Sequence, residues 1–134
     1  MFIVGIFFNP MNILAYRFSD IYISLTLIYG GILMASNMIW AHEIFNYISH
    51  SKFCVSTFFI GLILSFTIST ILLREQFLVS DNQWLKRMIS HHSTALTSSN
   101  KILNKTENPK IKKLAQSIIQ TQENEINIMK NLIK

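Results

Sequence analysis

Met88-Ile89-Ser90-His91-His92 is answered thirty residues later by Gln122-Glu123-Asn124-Glu125-Ile126-Asn127-Ile128-Met129. Between them stands Asn108-Pro109, with the only proline in the second half of the chain. Proline suits the first position of a helix, where its missing N–H would have no partner anyway. Folding the chain back around residue 107 as two antiparallel helices sets His92 against Gln122, His91 against Glu123 and Met88 against Ile126. Glu125 and Met129 then lie within a turn of Met88. Thioether, imidazole, amide and carboxylate groups meet at one level of one hairpin.

The flanking residues extend both helices. Ser80-Asp81-Asn82-Gln83 has the form of a capping box, with Val79 and Trp84 placed as a hydrophobic staple around it. Leu85, Met88, Ile89, His92, Ala95, Leu96, Ser99, Ile102 and Leu103 then form one stripe at helical spacing. After a turn at 106–108, Asn108 caps a second helix. Its stripe is Ile111, Leu114, Ala115, Ile118, Ile119, Gln122, Glu125, Ile126, Met129, Leu132 and Ile133.

Upstream the composition changes. Residues 21–40 and 53–73 are runs of twenty and twenty-one residues without a charge, each long enough to cross a hydrocarbon core of about 30 Å at about 1.5 Å per residue. Both are expected to be transmembrane helices, with Tyr22, Trp40 and Tyr47 at the interfaces. Residues 1–16, broken by Asn9-Pro10, are either a short first span or an interfacial segment. They lack the basic start and small-residue cleavage site of a secretory signal. Gly30, Gly31, Ala35 and Ser36 form a small-residue patch suited to close helix packing. His42 and His50 are expected in an interfacial loop. The domain division is a membrane anchor over 1–79 and a helical-hairpin domain over 80–134. The fold class is all-α, with N-terminal transmembrane helices followed by a two-helix antiparallel hairpin.

Composition agrees with partition into a bilayer. Of 134 residues half are hydrophobic and 14% charged, with a mean hydropathy of +0.34; soluble domains are usually nearer a quarter charged. The formal net charge of +5 lies in residues 74–134, where ten Lys and Arg face five Asp and Glu. Such an excess suits a solvated face near anionic lipid. Nucleic-acid binding is not expected, because the lysines form no tract and no aromatics interleave with them. Cys54 is alone, so no intrachain disulfide forms.

The level of His92 reads in two ways. In one, His92 and Gln122 form a satisfied hydrogen bond in a packed seam, with Met88 and Met129 as flexible filler. In the other, the thioethers and imidazoles bind a soft ion such as Cu(I), and Glu125 helps with a divalent one. Di-iron bundles use Glu-x-x-His pairs, absent here, as are His-Glu-x-x-His, a phosphate loop and a nucleophile elbow. No catalytic residue is assigned, and the chain is not expected to be an enzyme.

Asp81, Met88-Ile89-Ser90-His91-His92, Leu114-Ala115, Ile118-Ile119, Gln122, Glu125-Ile126 and Met129 resemble the signature of the family called domain of unknown function 305 (DUF305). That signature is Met-Ile-Pro-His-His followed by Gln-x-x-Glu-Ile-x-x-Met. The resemblance covers residues 80–133, and the membrane part is similar to a subgroup in which apolar helices precede the domain. It implies a ferritin-like hairpin, half of a four-helix bundle, and a copper ion bound by Met88, His91, His92, Gln122, Glu125 and Met129. Ser90 stands where proline is usual, which is expected to relax the turn before the His pair. The extra Met and His residues of strongly copper-linked members are missing.

The expected function is therefore membrane-anchored, non-catalytic metal binding in copper handling or tolerance. The alternative is a membrane-anchored helical interaction module with no metal. Expected partners are the lipid bilayer, a metal ion and further copies of the chain, because apolar flanks such as Leu96, Ile128 and Leu132 call for a second hairpin. The location is a multi-pass membrane protein. The positive-inside bias of Arg17, Arg74, Lys86 and Arg87 puts the hairpin in the cytoplasm, whereas exported relatives put it outside, so its side stays open.

Overall fold

The hairpin helices form because each carries a narrow apolar stripe and good ends. In a computed structural model describing residues 1–133, they are α5 (Asp81–Lys105) and α6 (Pro109–Leu132). Before them come α1 (Phe2–Phe7), α2 (Pro10–Ile13), a 3₁₀ turn at Phe18–Asp20, α3 (Leu25–His50) and α4 (Val55–Thr67), which continues as π-helix to Arg74. Among the described residues there is no strand, so the fold is all-helical.

The chain divides into two compact units that interleave in sequence. One comprises Met1–Phe8 with Leu25–Val79, the other Asn9–Ser24 with the chain from Ser80 on. The sequence places residues 9–24 in the anchor; the structure packs them with the hairpin.

In the first unit α3 and α4 pack closely through small and hydroxylated residues. Ser36 Oγ and Ser65 Oγ are 3.0 Å apart. A Cβ built on Gly61 would stand 2.9 Å from the Trp40 backbone nitrogen, so only glycine permits this approach. The small-residue patch is divided in its use: Gly31 meets α1 through Phe2 and Ile6, while Gly30 faces open space. The Cys54 N–H donates to buried Glu43 at 3.0 Å, tying the start of α4 to α3.

The expected spans need correction. Among the described residues one helix, Val55–Arg74, is long and apolar enough to cross a membrane. The run 21–40 is not such a helix. Residues 21–24 are not helical, and α3 starts at Leu25 and runs on through His42, Glu43 and His50. Glycines, Ser36, Asn37 and these polar residues dilute its apolar content. His42 and His50 thus lie on a helix, not in a loop. Residues 1–16 form two short helices rather than one span, because Asn9 caps α2, accepting from Met11 N and Asn12 N at 3.0 and 3.1 Å. A multi-pass arrangement therefore has one qualifying helix behind it.

In the second unit Leu85, Ile89, Leu96, Ile126 and Met129 form the core, with Tyr22, Met88, Ile119 and Ile133 packed against it. Tyr22, expected at a membrane interface, packs instead on the hairpin. Asn108 caps α6, accepting from Lys110 N at 2.9 Å and Ile111 N at 3.5 Å. Ser80 occupies the N-cap of α5 without a side-chain cap bond.

The segment 9–24 lies as a strap along the hydroxyl-bearing face of α5. Ser93 Oγ accepts from Tyr16 N at 2.8 Å and donates to Asp20 Oδ2 at 2.9 Å. Ser90 Oγ accepts from Tyr22 N at 3.2 Å and donates to Asp20 O at 2.9 Å. Thr94 Oγ1 donates to Met11 O at 3.2 Å. Asp20 is fully buried and pairs with Lys130 of α6. Leu96, expected on an uncovered flank, is fully buried. Ser90 does not relax a turn either: α5 runs unbroken through the His pair, and the hydroxyl serves the strap.

Candidate metal centre

Trp84, Met88 and His92 fall on one face of α5 at i, i+4 and i+8, and Glu125, Ile128 and Met129 answer from α6. Together these six line a cleft of about 400 Å³. The structure thus brings together Met88, His92, Glu125 and Met129 of the six residues named from sequence. Gln122 lies one step outside, its Nε2 donating to Glu125 Oε2 at 3.4 Å. His91 points away: it is exposed, with its ring centroid 5.9 Å from that of His92.

The register differs from expectation in its polar pairings. His92 Nδ1 stands 3.1 Å from Glu125 Oε2, not against Gln122. Glu123 pairs with Arg17 of the strap at 3.1 Å, not with His91. The strap competes for Glu123, which sequence reasoning on two helices alone could not include. Trp84 and Ile128 were also outside the expected set, although i/i+4 spacing from Met88 and i/i+3 spacing from Glu125 place them there.

His92 is the electrostatic centre of the cleft. Its side chain is 12% exposed, against 45% for Glu125. Burial pushes the imidazole pKa below the ordinary histidine value; the Glu125 carboxylate opposes this and His91 adds to it. The ring is therefore neutral at pH 7, and its Nδ1, though close to Glu125, has no aligned hydrogen-bond partner. A buried imidazole nitrogen without a partner carries a desolvation cost that a bound ion would offset.

Among the described residues no three His, Cys, Asp or Glu side chains gather as a metal-holding group. A bound ion would have to draw on the sulfurs of Met88 and Met129 as well as His92 and Glu125. One imidazole, two thioethers and one carboxylate make a predominantly soft set, which fits Cu(I) better than a hard oxygen-seeking cation.

The family model described as Domain of unknown function (DUF305) matches residues 72–133. Among curated proteins, the uncharacterized protein L153 of Acanthamoeba polyphaga mimivirus is 37% identical over 138 residues, covering 98% of this chain and 85% of that protein. No solved structure matches the chain. The family match over the two-helix signature and a relative that covers nearly the whole chain lead to one assignment: the chain belongs to the DUF305 family.

Proposed function

We propose that this chain is a membrane-anchored, non-catalytic metal-binding protein that takes a copper ion, Cu(I) in preference, in copper handling or tolerance. The observation that carries the reading is the cleft lined by Met88, His92, Glu125 and Met129, in which the buried Nδ1 of His92 has no hydrogen-bond partner. His92 and the two thioethers are the ligands. Glu125, its Oε2 3.1 Å from that same Nδ1, adds a carboxylate oxygen to the coordination, and Gln122 braces Glu125. His91 is a peripheral contributor.

The Val55–Arg74 helix is the anchor. The hairpin is half of a ferritin-like four-helix bundle, completed by a second copy over Ile128 and Leu132, which are 59% and 58% exposed. A helical interaction module without metal is the competing reading, favoured by the apolar rim that Trp84 and Ile128 give the cleft.

Metal analysis of the purified full-length protein, followed by competitive Cu(I) titration, tests the proposal. Met88→Leu preserves volume and should cost less than about 1.5 kcal/mol of stability while weakening Cu(I) binding. His92→Ala should weaken it more than His91→Ala. Unchanged affinity in both Met88→Leu and His92→Ala leaves a packed seam and ends the metal reading.

A further inference from the structure

Where α5 ends and α6 begins, the hairpin presents Lys101, Lys105, Lys110, Lys112 and Lys113, all exposed. Glu107 is the only acid between residues 93 and 122. Among the described residues none of these five ammonium groups has an ion-pair partner, whereas Arg17 and Lys130 do. The charge is also placed against the helix: α6 has no acid in its first turn. Its amino end carries partial positive charge that repels Lys110, Lys112 and Lys113. An arrangement that costs helix stability calls for an anionic partner to offset it.

Apolar residues share this surface. Ile111 and Leu114, at i and i+3, are 42% and 60% exposed. Helical spacing puts them on one arc with Lys110 and Lys113. Ile102, 43% exposed, lies beside Lys101 and Lys105 on α5. A merely solvated face would not need bulky aliphatics among its lysines. Nucleic acid is the poorer fit, since no aromatic residue occurs from 93 to 134 on which a base could stack. Lysines flanking exposed Ile and Leu fit the headgroup region of a bilayer, where ammonium groups meet lipid phosphate or carboxylate and aliphatics enter the acyl boundary.

We propose that the turn end of the α5–α6 hairpin is a docking surface for an anionic lipid bilayer. Lys110 and Lys113 supply the electrostatic attraction with Lys101, Lys105 and Lys112, and Ile111 and Leu114 insert. The inference rests on neither the metal centre nor the Val55–Arg74 anchor, because the contact is read at the hairpin end itself.

The test uses the full-length chain as Cys54→Ser, Ser117→Cys, with an environment-sensitive fluorophore at position 117, on the same arc as Leu114. Phosphatidylcholine vesicles with phosphatidylserine should shift the emission to the blue; phosphatidylcholine alone should not. Raising salt from 0.1 M to 1 M, which shortens the Debye length from about 10 Å to about 3 Å, should reverse the shift. Each lysine at an anionic surface changes association about five-fold. Lys110→Gln with Lys113→Gln should therefore weaken it about 25-fold. Leu114→Ser should weaken it while leaving the salt dependence in place. No phosphatidylserine-dependent shift overturns the proposal, as does an equal shift with both vesicles. A shift with single-stranded RNA and none with vesicles assigns the surface to nucleic acid instead and equally overturns it.

Discussion

Replacing Asp20 by Ala removes the carboxylate that joins the strap to both helices of the hairpin. Asp20 is fully buried, takes the Ser93 hydroxyl proton at 2.9 Å and pairs with Lys130. Truncation leaves an ammonium group without its counter-charge, and removing one partner of a buried pair costs about 3–5 kcal/mol. Lys130 is 28% exposed and can turn toward water, which places the expected loss near 3 kcal/mol. Asp20→Asn should cost less, yet not zero, because its amide N–H₂ would face either the Ser93 hydroxyl or the Lys130 ammonium, both of which donate to the carboxylate. Lys130→Met in the Asp20→Ala background should recover part of the loss by removing the unpaired charge. The loss should be mainly local, since Leu85, Ile89 and Ile126 pack against one another between α5 and α6, with Tyr22 of the strap only at their edge. Amide hydrogen exchange is the appropriate assay. Protection at Tyr16 and Tyr22, whose N–H groups donate to Ser93 and Ser90, should fall by about a hundred-fold, at 1.4 kcal/mol per decade. Ile89 and Ile126 should stay protected. Unchanged exchange at Tyr16 and Tyr22 in Asp20→Ala would refute the reasoning that this carboxylate holds the strap.

Two further expectations concern His92 and the α3–α4 contact. The folded-state pKa of His92 is lowered by burial, so as pH falls below about 6.5 the unfolded chain takes its proton first. Stability should be level in this respect above that pH, decline below it until the folded-state pKa is passed, and lose this slope in His92→Gln. An NMR titration of the His92 ring with a midpoint at or above 6.5 contradicts the burial argument. A Cβ at Gly61 would stand 2.9 Å from the Trp40 nitrogen, whereas one at Gly30 meets nothing within 4 Å. Gly61→Ala should therefore separate α3 from α4 and lower the thermal midpoint. Gly30→Ala should be neutral or slightly stabilising, because alanine is the better helix former by about 1 kcal/mol; equal effects in the two variants would count against the close approach.

Local rules carried the hairpin from the sequence alone. Stripes at 3.6-residue spacing, Asn108 as cap and Pro109 at the first helical position act within a few residues, so α5 and α6 emerge near their observed bounds. The same spacing put Met88, His92, Glu125 and Met129 at one level, because helical geometry and an antiparallel return leave little freedom there. Hydropathy alone treated 21–40 as one span. It averages over residues and cannot see that 21–24 stand outside the helix, with Tyr22 N donating to Ser90. Only the tertiary structure decided that 9–24 returns to cover α5. The partners are some 70 to 110 positions apart in sequence: Asp20 with Ser93 and Lys130, Tyr22 with Ser90, Arg17 with Glu123. A hydroxyl on a helix reads as solvent-facing until a distant backbone arrives to use it. That arrival uses the hydroxyls of Ser90 and Ser93 and pairs Glu123 with Arg17 instead of His91. Which partner Glu123 takes was therefore settled by a residue distant in sequence, which no local pattern encodes.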